Sequence, residues 1–202
     1  MFVLSRGAPE DLRRPWGGVL AFVRKHIPAT LNKELSSTDI MVLNVGPLIL
    51  YNAYILPENS TSWTEFADKH PYDMLWQSLA AASVLNKPIL ILTDMNARTA
   101  SRQMYGSLAR SSQDTSNVSS RGSSFLKMGN DLELIILNGV QSMGPTSSQC
   151  TSFQPRGSSV IDYAIVNAQM LELVKGFAIG KHEPTWSDHA PTCSKTCLEP
   201  AS

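Results

Sequence analysis

Lys87-Pro-Ile-Leu-Ile-Leu-Thr-Asp-Met-Asn-Ala-Arg98 carries four consecutive aliphatic side chains, Ile89 to Leu92, and then an acid and an amide. A short unbroken apolar run behind a proline reads as a strand buried on both faces. Asp94 and Asn96 stand where that strand leaves the core. In an extended chain, side chains two apart point to the same side. The pair would then present two hard oxygens in one direction, at the mouth of an apolar sheet. That arrangement suits a metal ion or a phosphate, and it equally suits a plain turn, since Asp and Asn are common turn residues.

Working outward, Pro71 opens the clearest helix of the sequence. Tyr72, Leu75, Trp76 and Leu79 recur at helical spacing, and the pattern runs to Asn86 before Pro88 forbids continuation. Before it lie three strands: Trp16 to Arg24, Asp39 to Val45, and Leu48 to Ile55, the last two joined by a Gly46-Pro47 hairpin turn. On the third, Tyr51 and Tyr54 face opposite ways. Beyond Arg98 the character changes. Eight serines lie from Ser107 to Ser124, with Arg102, Arg110 and Arg121 among them and no apolar period, so residues 101–124 are expected as a long exposed loop. Order returns with a short helix from Ser123 to Asn130 and strands at Leu132 to Leu137, Cys150 to Phe153 and Ser159 to Val166. A brief helix follows at Ala168 to Val174, and Thr185 to Lys195 carries the last strand. Hairpins mixed with one strand-helix-strand passage predict an α/β (α+β) domain of packed sheets covered by helices, not a doubly wound parallel sheet.

At 202 residues a single domain is expected, spanning 16–195 between an N-terminal loop (1–15) and a tail (196–202). A formal net charge of zero excludes a general nucleic-acid coat, so any contact with a polyanion has to be local: a cleft, or a metal that supplies the positive charge. No stretch resembles a secretion signal or a membrane span. Three cysteines (Cys150, Cys193 and Cys197) make no disulfide framework and point to an intracellular setting, the nucleus included. A zinc site at Cys193 and Cys197 would need a helix that Pro191 opposes.

Ser159-Val-Ile-Asp-Tyr-Ala-Ile-Val166 places Asp162 mid-strand among apolar neighbours. A buried carboxylate is costly unless paired or hydrogen-bonded. It is either bonded to amides of a neighbouring loop or holds a histidine in one tautomer. Trp186-Ser-Asp-His-Ala-Pro191 supplies that histidine: Asp188 and His189 are adjacent, and in a bent loop both could line one cavity. His26, His70 and His182 have no comparable surroundings and read as surface or core residues. Tyr54, near its strand end, either places its hydroxyl at the same cavity or fills a gap between sheets.

Taken in order, N-A-Y-I-L-P (52–57), I-L-I-L-T-D-M-N-A-R (89–98), L-N-G (137–139), T-S-F-Q-P-R-G-S-S-V-I-D-Y-A-I-V (151–166) and W-S-D-H-A-P (186–191) resemble the endonuclease/exonuclease/phosphatase superfamily. This is the fold of abasic-site endonucleases and pancreatic deoxyribonuclease. Within it the wording is similar to the endonuclease domains of non-LTR retrotransposons, as is the Ser-rich stretch leading to Arg121-Gly122. The resemblance implies a four-layered sandwich, two sheets face to face with helices outside, and hydrolysis of nucleic-acid phosphodiesters, DNA above all, with Mg²⁺ or Mn²⁺. It implies that Asp94 and Asn96 position water, phosphate and metal, that Asp188 is a metal-side aspartate, and that His189 contacts the scissile phosphate or takes a proton. Asp162 would orient His189, Tyr54 would support phosphate oxygens, and Asn59 and Arg121 would contact substrate.

The resemblance also has departures. Thr93 stands where the family often has glycine. The family's first strand, ending in Asn, and a later segment carrying a metal-binding Glu have no counterpart before Trp16, where Glu10 and Asp11 are the only acids. The first strands of one sheet are therefore expected to be missing, with a strand edge left open. Two readings follow: a metal-dependent endonuclease, or a truncated or decayed relative that binds nucleic acid or a partner without cutting. A relative acting on phospholipid or inositol phosphate is a third.

Overall fold

A computed structural model describes residues 1–5, 18–60, 64 and 69–197. The Glu10-Asp11 loop and the Trp16-Gly17 start of the expected first strand lie outside them. In chain order the strands and helices begin with β1 (Phe2–Ser5), β2 (Gly18–Ala21), β3 (Ala29–Leu31), β4 (Ile40–Val45) and β5 (Leu48–Tyr54). Then come α1 (Pro71–Ser83), β6 (Ile89–Asp94), α2 (Ser120–Asp131) and β7 (Ile135–Ile136). β8 (Ser152–Gln154), β9 (Gly157–Ser159), β10 (Asp162–Val166), α3 (Ala168–Leu173), β11 (Val174–Ile179) and β12 (Thr192–Thr196) complete the set.

The apolar run Ile89–Leu92 sits at the centre of a six-stranded sheet of order β3-β4-β5-β6-β10-β7, where β5 and β6 are parallel and the other pairings antiparallel. Burial on both faces explains why it shows no alternation. Ile89 and Ile91 join Tyr51, Leu75, Leu79, Phe125 and Tyr163 in the larger core beneath α1 and α2. Leu90 and Leu92 face the other way, toward Ala164, Met170, Phe177 and Ile179. Asn167 fixes the entry of the strand: its Oδ1 accepts from the Ile89 amide at 3.0 Å, and its Nδ2 donates to the Lys87 carbonyl. The β4–β5 hairpin turns on Gly46, whose φ of +56° is the left-handed conformation that a two-residue loop requires.

Helix α1 starts as expected, with Pro71 in its first turn and His70 as the cap; His70 Nδ1 accepts the Tyr72 amide proton. It ends at Ser83, short of Asn86, which adopts φ +50°. The remaining strands pair in three two-stranded sheets, β1–β2, β8–β9 and β11–β12. The N-terminal residues expected as loop thus contribute a strand, Phe2–Ser5. Phe2, Leu4 and Ala21 pack on Met41 and Leu43 of the large sheet, whereas Val3, Leu20 and Phe22 on the opposite face are exposed. β1–β2 and β11–β12 pack on one face of the large sheet and α1 and α2 on the other; among the described residues no helix covers the outer face of β1–β2. None of the described helices is long and apolar enough to cross a membrane.

The Ser-rich segment is corrected in part. Up to Ser119 it is a largely exposed loop, as expected, but Met104, Arg110 and Asp114 are buried within it, and α2 begins at Ser120, not Ser123. Arg110 donates to the Asn138 carbonyl (2.7 Å), the Arg102 carbonyl and Thr99 Oγ1. Asp114 accepts from the Val160 and Ser116 amides. Polar side chains satisfying distant backbone groups hold this segment, which leaves no apolar period to read.

Candidate active site

Strand register builds the site. Asp94 ends β6, and its partners in the ladder are Tyr54 on the parallel β5 and Asp162 on the antiparallel β10. All three lie on the same face as Leu92, the one turned toward the smaller sheets, so Tyr54, Asp94 and Asp162 stand side by side along one rim. Asp162 is the first residue of β10, not a mid-strand position: β9 and β10 are separate, and Thr151 Oγ1 accepts from both the Ile161 and Asp162 amides at the break. Beyond β7, Asn138 takes over the ladder to β10, donating Nδ2 to the Asp162 carbonyl and accepting from the Ala164 amide.

The corner after β6 departs from the extended geometry expected of it. Asp94 Oδ1 accepts from the Asn96 amide at 3.0 Å, and Asn96 adopts φ +48°. Asn96 Nδ2 then donates to the Ile55 carbonyl at 3.0 Å, which ties the end of β5 to the end of β6. The turn reading of this pair is therefore met, and the turn stands at the rim. Asn96 keeps its Oδ1 as the remaining acceptor.

His189 arrives from the loop between β11 and β12. Its backbone is pinned as a one-residue bridge to Ser152, flanked by Phe153 N–H to Asp188 O (2.7 Å) and Ala190 N–H to Thr151 O (2.8 Å). Its Nδ1 lies 2.9 Å and 3.1 Å from the two Asp162 carboxylate oxygens. Asp162 thus holds the histidine by Nδ1 and leaves Nε2 for another partner. Ligand atoms of Asp94, Asp162 and His189 all fall within 4.8 Å of one another. A groove of about 350 Å³ runs past this cluster, lined among others by Leu20, Asn52, Tyr54, Asp94, Asp162 and Thr192.

The electrostatics are lopsided. Burial, and then the charge of Asp162, push the Asp94 carboxyl up to about 6, against the Asn96 amide and His189, which lower it. His189 is pushed up to about 9, first by its hydrogen bond to Asp162, with the charges of Asp162, Asp94 and Asp188 adding and burial opposing. Two carboxylates and a cationic imidazole leave the cluster short of positive charge.

Other expected residues are placed differently. Asp188 is exposed, accepts from Gln154 Nε2, and stands outside the three-residue cluster, within range to act on its charges. Asn59 is exposed in the turn after β5 and makes none of the cluster's contacts. Arg121 is buried in the first turn of α2, where its guanidinium donates to the Leu56 carbonyl and lies 3.5 Å from His70 Nε2, so it faces the interior. His182 stacks on Phe153 with ring centroids 4.2 Å apart. Cys193 and Cys197 are exposed. Thr151 and Gln154, which position Asp162 and Asp188, lie in a stretch quoted above, but nothing in their own residue types marks them.

The sequence matches the family described as endonuclease-reverse transcriptase over residues 48–193. No curated protein gives a match. Among solved structures, the endonuclease domain of TRAS1, a telomere-specific non-LTR retrotransposon, superposes with a TM-score of 0.66 at 17% identity, covering 98% of this chain and 81% of that one. The 3′-5′ exonuclease NExo from Neisseria meningitidis gives 0.52 at 17% identity over 86% of this chain and 71% of its own. The AP endonuclease LMAP from Leishmania major gives 0.57 at 14% identity over 83% and 61%. At these identities the likeness is one of fold, and the match over residues 48–193 carries the assignment. The chain belongs to the endonuclease-reverse transcriptase family of the endonuclease/exonuclease/phosphatase superfamily.

Proposed function

We propose that this chain hydrolyses phosphodiester bonds in DNA, as the endonuclease of a mobile element, with Mg²⁺ or Mn²⁺. The observation that carries the reading is the Asp162–His189 pair set within reach of Asp94 at the edge of an open groove. Asp94 and Asn96 Oδ1 are the oxygen donors that would hold the ion, with the exposed Asp188 adding negative charge from outside the cluster. A few protein oxygens suit a hard dication that keeps several of its own waters, and the charge deficit that raises Asp94 is what such an ion would relieve. Bound there, it would supply charge stabilisation to the phosphate oxygens.

The chain's own residues account for the rest. With Nδ1 held by Asp162, His189 stays protonated through neutral pH and directs Nε2–H at a phosphate oxygen, where it neutralises charge or delivers a proton to the leaving oxygen. Tyr54, next to Asp94 on the rim, adds a phenolic donor for the same phosphate. Asp94 orients the attacking water through its carboxylate. DNA as the substrate rests on family membership and on the DNA product held by a related 3′ phosphatase structure from Neisseria, which superposes with a TM-score of 0.54. The element origin rests on the family description and on the extent of the match to the TRAS1 domain.

The test is to incubate the purified chain with supercoiled plasmid and Mg²⁺ or Mn²⁺. Nicking that disappears in EDTA and in His189→Ala is expected. A folded chain that nicks with neither metal, or a His189→Ala variant that nicks as well as its parent, overturns the proposal.

A further inference from the structure

Trp186 is the most exposed large hydrophobic residue described, at 89% exposure, and it lies three positions before His189. Three residues span at most about 11 Å, so the backbone that carries the indole stands within that distance of the His189 backbone. A single exposed apolar side chain is ordinary on a protein surface. The setting of this one is not, because the loop that carries it is tied at nearly every residue. The Trp186 amide donates to the Glu183 carbonyl at 3.0 Å, and Thr185 Oγ1 donates to the Glu183 carboxylate. His182 Nε2 lies 2.9 Å from the Ser187 carbonyl while its ring stacks on Phe153. Ser187 Oγ accepts from the His189 amide, and Asp188 is held by Gln154. The loop turns its other ring, His182, inward and holds the indole out in water.

We infer that Trp186 is a stacking platform for one unpaired nucleobase beside the phosphate that His189 contacts, which makes a strand with an unstacked nucleotide at that point the preferred ligand. The inference rests on the nuclease reading of the site. An indole ring offers its face to any base without regard to sequence, but only to a base outside a continuous duplex stack. Because the backbone under the ring is already fixed, binding has only the indole's own rotamers to restrict.

The experiment measures binding, so it does not depend on turnover. Fluorescence anisotropy of labelled single-stranded DNA 12-mers is recorded in EDTA with the wild-type chain, Trp186→Ala and Trp186→Phe. Trp186→Ala is expected to bind about tenfold more weakly and Trp186→Phe to recover most of the loss, with all three melting alike because the ring is exposed. Replacing bases one at a time with an abasic unit should weaken wild-type binding by the same factor at one position and leave Trp186→Ala unaffected there. A fully paired duplex should bind wild type and Trp186→Ala equally. Oligonucleotide binding with no difference between wild type and Trp186→Ala overturns this inference and leaves the nuclease reading standing. An absence of any oligonucleotide binding by the wild-type chain overturns this inference too, while the nuclease reading is decided by the plasmid assay.

Discussion

Replacing Asp94 with Asn should stabilise the ion-free protein at pH 8. The folded chain raises the Asp94 carboxyl from 3.8 to about 6, so between those values the folded state binds more protons than the unfolded one. Stability therefore falls as pH rises through this window, and above it the ionised carboxylate is a standing penalty. Two units correspond to roughly 3 kcal/mol in full. Solvent reaches this half-buried group and reduces the penalty to about 1–2 kcal/mol. The Asn side chain still offers Oδ1 to the Asn96 amide, so the corner after β6 survives and only the charge is removed. Urea unfolding in EDTA should show Asp94→Asn more stable than wild type by about 1–2 kcal/mol at pH 8 and by about half as much at pH 5. Adding Mg²⁺ at pH 8 should raise the wild-type midpoint and leave the variant unchanged. A variant less stable than wild type at pH 8, or a difference that does not change with pH, refutes the electrostatic reasoning.

The His189 imidazole should titrate near 9 by NMR in the ion-free protein, and Asp162→Asn should bring it back toward 6.5. Because this folded pKa is raised, the pair's contribution to stability is complete below about 6.5 and disappears as pH climbs through 9. Gly122→Ala should cost about 2–3 kcal/mol by chemical denaturation, since a Cβ there would lie 1.9 Å from the Arg98 carbonyl oxygen and overpack the start of α2. Thr93→Val should stabilise the fold by about 1 kcal/mol in the same assay, because the Thr93 hydroxyl is buried without a partner.

What the sequence disclosed, and what it hid, follow from how far each interaction reaches along the chain. The central strand was legible at Ile89–Leu92 because burial on both faces writes itself as an unbroken apolar run. The Asp162–His189 pair was legible because an acid in an apolar strand demands a partner, and few histidines were on offer. Asn96 was half legible: its residue type marked the corner, but its left-handed backbone depends on the Ile55 carbonyl, 41 positions away. Arg110 and Arg121 were illegible, because an arginine among serines reads as solvated. Their burial is decided by the Asn138 and Leu56 carbonyls, which only the folded chain brings near. Asp188 shows the same limit: its neighbour His189 enters the cluster, while Gln154 holds its own carboxylate outside. The first strand escaped notice because Phe2–Ser5 is too short to show a period, and its partner β2 follows only after a long connection.

The most direct test is a titration of the ion-free protein with Mn²⁺, followed by the loss of the free-ion signal in electron paramagnetic resonance. If the rim formed by the ends of β5, β6 and β10 is a cation site, wild type should take up an equivalent of Mn²⁺ that Asp94→Asn does not. Mn²⁺ left free by a folded wild-type chain, or bound equally well by Asp94→Asn, would contradict it.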